Sequence, residues 1–450
     1  MFQRTRSTLP YICRQCRAAE ARRTHTTTTT TTSSSTHPVF PPPPPPSGAA
    51  YLANRRLIAI HGQDAAKFLQ GIISNNVRAG DTKGFYAAFL TAQGRVLNDV
   101  FVYPLAGNKA WLARAAGEAQ AQLQAGADVP AYLVEVDAAE AASLLQHIRR
   151  HKLRAKIAVR LLDADEAGVW SVWRESEKWT PYAGSFDSAA AATPHGSSRH
   201  EADSSGSSNS SDTDSPYLSL IDARAPGMGH RLLLPRSTHP STLSAAFSGL
   251  EDTSLGSYTV RRMLRGVAEG QAEMQRDAAF PLNSNLDAMG AVDFRKGCYI
   301  GQELTIRTHH TGVVRKRLLP CRIYALADAR LADHPADVPL EYDAGYAGPT
   351  PPPDRDVAVL RNDRKAKNAG RWIRGLGNVG LALCRLEVCT DLKLTGEGTV
   401  WRPEHNFRLE WKGEDGAVVG ASGTGVGVKA FVPDWLRGRI RVRKEAGRVE

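Results

Sequence analysis

The segment Lys296-Gly297-Cys298-Tyr299-Ile300-Gly301-Gln302-Glu303 decides how the rest of the chain is read. Two glycines bracket a cysteine and an aromatic, so the backbone can turn tightly there or approach a ligand closely. After Gly301, residues 302–307 can start a helix whose N-terminal dipole favours a nearby thiolate. Arg295 and Lys296 add positive charge beside the sulfur. Each influence stabilises the anionic form of Cys298, which is the nucleophile and the metal ligand. The competing reading is a buried structural cysteine, because free cysteine is among the most buried residue types. Local physics leaves both open.

Around this segment the patterning is α+β. Residues 57–60 read as a short strand. Ala65, Phe68, Leu69 and Ile72 then fall at i, i+3, i+4, i+7, one face of a helix. Residues 85–90 and 96–103 are β-rich runs around Gln93-Gly94, a hairpin signal. Residues 132–136 read as another strand. Asp137 with Glu140 makes a capping-box-like helix start, with Ala141, Leu144, Leu145 and Ile148 as the buried stripe. A strand returns at 156–161. Strand–helix–strand units beside antiparallel hairpins predict a split, ferredoxin-like layer rather than a doubly wound sheet. Beyond Leu318 the chain is mostly strands (321–324, 379–388, 425–431), the pattern of a separate small β-barrel.

Composition bounds the rest. The chain has 450 residues, 42% of them hydrophobic and 23% charged, as in ordinary globular domains. No stretch approaches the ~18 uninterrupted apolar residues that a membrane span requires. The formal charge is +11, which invites a nucleic-acid reading. No aromatic-interleaved basic motif supports that reading. Part of the charge lies in the first forty residues, which carry six arginines, no lysine and one acid, Glu20. Arginine-rich, Thr/Ser-rich, acid-poor composition predicts a mitochondrial presequence, and with the Thr/Pro-rich linker it occupies residues 1–50. Cys13 and Cys16 form a C-x-x-C within it, with no second ligand pair nearby. Cys298, Cys321, Cys384 and Cys389 lack disulfide-framework or zinc spacing. A Ser-rich stretch at about 185–215 reads as a disordered surface insertion. His309 and His310 are adjacent and so point to different sides of a helix, which favours a structural role over metal ligation. Arg315, Lys316 and Arg317 read either as a solvated strand face or as an attractor for an acidic partner.

The segment at 296–303 resembles the K-G-C-Y-x-G-Q-E signature of the folate-binding family related to the glycine-cleavage T-protein, in its iron–sulfur assembly branch. The likeness continues through Arg307-Thr308-His309-His310-Thr311-Gly312 and Arg315-Lys316-Arg317-Leu318, and upstream through Arg265-Gly266-Val267-Ala268-Glu269-Gly270, Pro281-Leu282, Asp222, Arg224, Gly229 and Arg231. The resemblance implies an aminomethyltransferase-like fold over 51–318, its layers arranged around a central channel, and a C-terminal β-barrel over 319–450. It further implies tetrahydrofolate in the channel, touched by Asp99, Arg231, Lys296, Tyr299, Gln302 and Glu303, and a functional thiol at Cys298 that ligates a transient iron–sulfur cluster. On local grounds Asp99 would pass for a solvated strand-end carboxylate. The implied partners are A-type iron–sulfur scaffold proteins and [4Fe–4S] clients, and the implied location is the mitochondrial matrix. Three departures matter. Asn98-Asp99 replaces two adjacent acids of the T-protein, Met228-Gly229-His230-Arg231 replaces its pterin-gripping segment, and Asn283 stands where the assembly branch leads us to expect Glu. The first two weigh against the alternative, a folate-dependent aminomethyl or one-carbon transferase. The sequence leaves the question of turnover open.

Overall fold

Three sheets organise the described residues. These are 40–440 except 79, 118–128, 178–214, 329–334, 395–400, 413–417 and 421–424, in a computed structural model. The expected presequence and nearly all of the Ser-rich insertion lie outside them.

The first sheet is wholly antiparallel: β3 (Phe85–Leu90), β4 (Val96–Pro104), β5 (Ala131–Asp137), β2 (Arg55–His61) and β6 (Ala158–Leu161), in that spatial order. Period-2 alternation gives it two buried faces. Ile58, Ile60, Phe89, Val100, Val102 and Val134 pack under helices α1 (Ala65–Ile72) and α3 (Ala141–Lys152), through Leu69, Leu144 and Ile148. The intervening positions, among them Ala59, Ala88, Phe101 and Leu133, turn to a second core. Trp111 of helix α2 (Lys109–Ala116) is buried in that core as well. The predicted capping box is realised only in part. The Asp137 side chain accepts from the Ala139 amide, a 3-10 turn follows at Ala138–Glu140, and α3 starts one residue later.

The second sheet runs β10 (Glu251–Thr253), β1 (Ser47–Tyr51), β7 (Ala167–Arg174), β9 (His230–Pro235) and β8 (Leu218–Ile221), with only the β1–β10 pair parallel. Its Ala50, Val169, Trp173 and Leu233 enter the same core as the first sheet, together with Tyr258, Val260 and Met263 of helix α4 (Leu255–Leu264). The expected linker boundary needs correction, because the folded body begins before Tyr51. Proline has no amide hydrogen but keeps its carbonyl. Trp173 donates to the Pro45 carbonyl (2.9 Å), Ser257 to Pro42 (3.0 Å) and Tyr342 to Pro41 (2.7 Å).

The third sheet is a closed six-stranded barrel. Its strands are β12 (Val357–Arg361), β13 (Asn368–Leu376), β14 (Val379–Arg385), β11 (Lys316–Ala325), β17 (Val426–Ala430) and β15 (Phe407–Lys412), and β15 pairs back to β12. The two-residue β16 (Val418–Val419) extends β15. Leu319, Cys321, Ile323, Val359, Trp372 and Cys384 fill the interior. The strand expected at 379–388 stops at Arg385, and residues Leu386–Cys389 form a short helical turn that closes the end of the barrel.

Candidate functional site

The 296–303 segment lies against the end of α1 and the β3–β4 turn. Lys296 fixes it: its ammonium donates to the carbonyls of Gln70 (2.8 Å), Ile73 (2.7 Å) and Asn75 (2.8 Å). The Gln70 carbonyl in the last turn of α1 and the Ile73 carbonyl at its cap have no helical partner, so the lysine acts as a C-cap supplied from 226 and 223 residues away in sequence. Burial draws its pKa down to about 7, opposed by Asp293. The ammonium also lies 4.9 Å from the ring centroid of Tyr299, which is buried. The Ile300 amide donates to the Gly71 carbonyl (3.1 Å). Gln302 turns its side-chain oxygen back to the Tyr299 amide (3.1 Å), while Glu303 is exposed. Gly301 has φ +82°, and a Cβ there would fall 2.2 Å from the Thr91 carbonyl, so only glycine lets the segment meet the hairpin turn. Helix α5 (Gln302–Thr311) follows, as expected.

Within this pinned backbone Cys298 is exposed, and Gly297 beside it faces open space. The buried-cysteine reading is thereby removed. Among the described residues the buried thiols are those of the barrel, Cys321, Cys384 and Cys389. Hydrogen bonding among the thiols, together with burial, raises Cys384 and Cys389 well above the usual thiol range, so they are poor nucleophiles.

Asp99 and Arg231 belong to a different place, the layer between the first two sheets. Four guanidiniums (Arg55, Arg224, Arg231, Arg262) and five carboxylates (Asp99, Glu135, Asp222, Glu269, Glu273) are buried there. Arg55 and Arg231 each reach Glu135 at 2.8 Å. Arg224 pairs with Asp222 (2.7 Å) and Glu269 (2.9 Å), Arg231 with Glu269, and Arg262 with Glu273 (2.8 Å). Tyr103 donates to Glu135 (2.7 Å) and Tyr258 to Glu269 (2.8 Å). Although burial pushes Glu269 up, Arg231, Arg224 and Arg262 hold it well below the usual carboxylate range. Asp99 goes the other way, raised chiefly by burial despite Arg55 at 3.7 Å.

Tetrahydrofolate would need a reachable carboxylate and room for a pterin. Asp99 has no exposed surface, its Oδ1 accepts the Gly270 amide (3.0 Å), and its Oδ2 faces Tyr86 (3.4 Å) and Arg55. Arg231 is fully buried and committed to carboxylates. These residues do not fit folate as they stand. Asn98 likewise faces inward, accepting from Arg276 (2.8 Å). The structure therefore divides the expected site in two. Lys296, Tyr299 and Gln302 build the Cys298 loop, whereas Asp99 and Arg231 build the ionic layer.

Arg317 is corrected from a surface attractor to a buried strut, bidentate to Asp287 at 2.9 and 2.8 Å. Arg315 and Lys316 are exposed. His309 stacks on Phe294 with centroids 3.5 Å apart, and His310 points outward. Among the described residues no group of three or more His, Cys, Asp or Glu could hold a metal ion. Sequence reasoning missed Arg55, Glu135, Tyr258 and Arg262. Glu135 did leave a trace, since it occupies an inward position two residues from Leu133 in an otherwise apolar strand.

Two family models agree with this architecture. Residues 52–152 match the profile described as the GCVT N-terminal domain, and residues 315–438 that of the CAF17 C-terminal beta-barrel domain. A solved structure, the glycine cleavage system aminomethyltransferase T from Bartonella henselae, aligns with TM-score 0.49 and 12% identity over 88% of each chain. The chain is 42% identical over 421 residues to the mitochondrial iron–sulfur cluster assembly factor IBA57 homolog of Aspergillus clavatus, covering 90% of this chain and 85% of that one. It is 38% identical over 457 residues to the protein of the same name from Neurospora crassa, covering 99% and 92%. Identity of this degree over nearly the whole length settles the family: the chain belongs to the mitochondrial iron–sulfur cluster assembly factors of the IBA57 type.

Proposed function

We propose that this chain matures mitochondrial [4Fe–4S] proteins by presenting the Cys298 thiolate to a cluster that a second protein also ligates. The observation that carries the reading is the exposure of Cys298 on a backbone fixed by Lys296 and Gly301. A thiolate is the soft ligand that iron–sulfur chemistry uses. One exposed thiol with no metal-binding group of three among the described residues supplies a single ligand, so the remaining ligands come from the partner. The partners in this reading, taken from the family resemblance, are an A-type iron–sulfur scaffold protein as donor and [4Fe–4S] apoproteins as clients, in the mitochondrial matrix. Holding the loop rigid lowers the entropy lost when the shared site forms.

Cys298→Ser removes the ligand while nearly preserving size. In cells lacking the protein, the Ser variant should fail to restore aconitase and lipoate-synthase activity, with circular dichroism confirming the fold. Full rescue would take the thiol out of the mechanism.

A further inference from the structure

We propose that the turn after α3 is a peripheral membrane-docking tip that recognises an anionic phospholipid surface. The tip combines two independent observations. Leu153 is 87% exposed, the most exposed of the large hydrophobic residues among the described residues, and its backbone lies at φ 46° and ψ −113°. That combination lies in a positive-φ region that glycine enters without strain and other residues rarely adopt. Here a leucine occupies it at a cost, and its side chain packs against nothing that would repay the cost within the fold. Around it, Arg149, Arg150, Lys152, Arg154 and Lys156 place five cations within eight residues. All but the half-buried Lys152 are exposed, and no side chain among the five holds an ion pair or hydrogen bond with the described residues. The Ala155 amide closes the turn on the Lys152 carbonyl (2.8 Å), so the leucine stands at the apex of a fixed loop.

One exposed apolar side chain flanked in sequence by five cations, four of them exposed, matches an anionic lipid surface. The cations meet the headgroups, their aliphatic stems lie along the boundary, and the leucine enters the acyl edge. A protein interface of ordinary composition would deplete lysine at its centre and gather aromatic residues, and this tip does neither. Nucleic-acid binding would call for stacking rings, which residues 149–156 lack apart from His151, and that ring packs on His147 with centroids 4.2 Å apart. Arg150 and His151 line an open groove of about 580 Å3 together with Ile300, so docking through the tip would hold the Cys298 loop close to the membrane surface. The inference stands on the tip alone and does not require Cys298 to ligate a cluster.

The test is co-sedimentation of the full chain with phosphatidylcholine vesicles, with and without about 30% phosphatidylglycerol, at about 0.1 M and about 0.5 M salt. The parent should pellet with anionic vesicles at low salt only. Leu153→Ser should weaken partitioning about five- to ten-fold. Arg149→Gln/Arg150→Gln/Lys152→Gln should weaken it about a hundred-fold, near five-fold for each charge. Arg364→Gln/Lys365→Gln/Lys367→Gln removes the same charge from a barrel loop and should change little. Four results would overturn the proposal: no binding by the parent, equal binding to neutral vesicles, an equal loss in the barrel-loop control, or a Leu153→Ser variant that binds like the parent. Binding to duplex DNA that is lost in the tip variants while vesicle binding persists would assign the tip to nucleic acid instead. Circular dichroism confirms that the variants are folded.

Discussion

Asp99 shows how one residue can change meaning between sequence and structure. In sequence it is a polar residue at a strand end, and the family resemblance lends it a ligand. In the fold it is fully buried between two sheets and accepts the Gly270 amide. A structural role makes a quantitative demand. Asp99→Ala should cost about 2–3 kcal/mol, because the buried Gly270 amide loses its acceptor. Asp99→Asn keeps an acceptor for Gly270 and should cost about 1 kcal/mol. Urea denaturation measures both, and an exposed, ligand-facing carboxylate would leave the midpoints nearly unchanged in both variants. His147 supplies a pH prediction. Burial, with His151, Arg276 and Arg150, holds it down at about 4. The unfolded chain therefore binds the extra proton between pH 6.5 and 4, and the folded chain does not. Stability should fall as pH drops through that window, by about 1–2 kcal/mol after discounting for a half-exposed ring. His147→Gln should flatten this part of the profile, as urea midpoints at pH 7 and pH 4.5 would show.

At the scale of elements, the legible parts were those with local periodicity. The helix at 65–72, the hairpin around Gly94, the strand at 132–136 and the stripe of α3 all follow from residues within one or two turns of each other. The strands β1, β7 and β8 were not read, because the first borders a proline run and the others flank the Ser-rich insertion. The 296–303 segment was recognised as a site, but the work of its residues was not visible. Lys296 caps α1, and Gly301 allows contact with the hairpin, two long-range relations that no local pattern encodes. Gly301→Ala should therefore cost at least about 2 kcal/mol, from a left-handed backbone and a carbonyl in the way. Hydrogen exchange reads the local consequence. The Ile300 amide, bonded to Gly71, should lose protection in Gly301→Ala and keep it in Gly297→Ala, where the added methyl meets open space. Equal protection in both variants would mean that the hairpin contact does not hold the loop.

The whole molecule is joined by buried charge rather than by apolar packing alone. The ionic layer draws Arg55, Asp99, Glu135, Asp222 and Glu269 from segments far apart in sequence, so no window of the chain contains it. Its arginines also lie over rings, Arg231 at 4.5 Å from the Phe101 centroid and Arg224 at 4.8 Å. A second seam joins the barrel to the α+β body. Arg317, on the first barrel strand, donates to the Leu282 carbonyl (2.9 Å), to Asn285 (3.2 Å) and twice to Asp287. Asn285 returns a bond to the Leu318 carbonyl (2.7 Å), and Trp435 donates to the Arg265 carbonyl (3.0 Å). Truncating one member of such a buried pair leaves the other charge without compensation, at a cost of about 3–5 kcal/mol. Because the lost bonds lie between the two parts, Arg317→Met should weaken their coupling more than the interior of either. Calorimetry should then resolve two unfolding transitions in the variant and a single one in the parent. Arg317→Met/Asp287→Leu removes both charges and should recover much of the loss. A single transition in Arg317→Met, shifted no further than that of an exposed arginine variant such as Arg371→Met, would show that the seam is held by its apolar contacts instead.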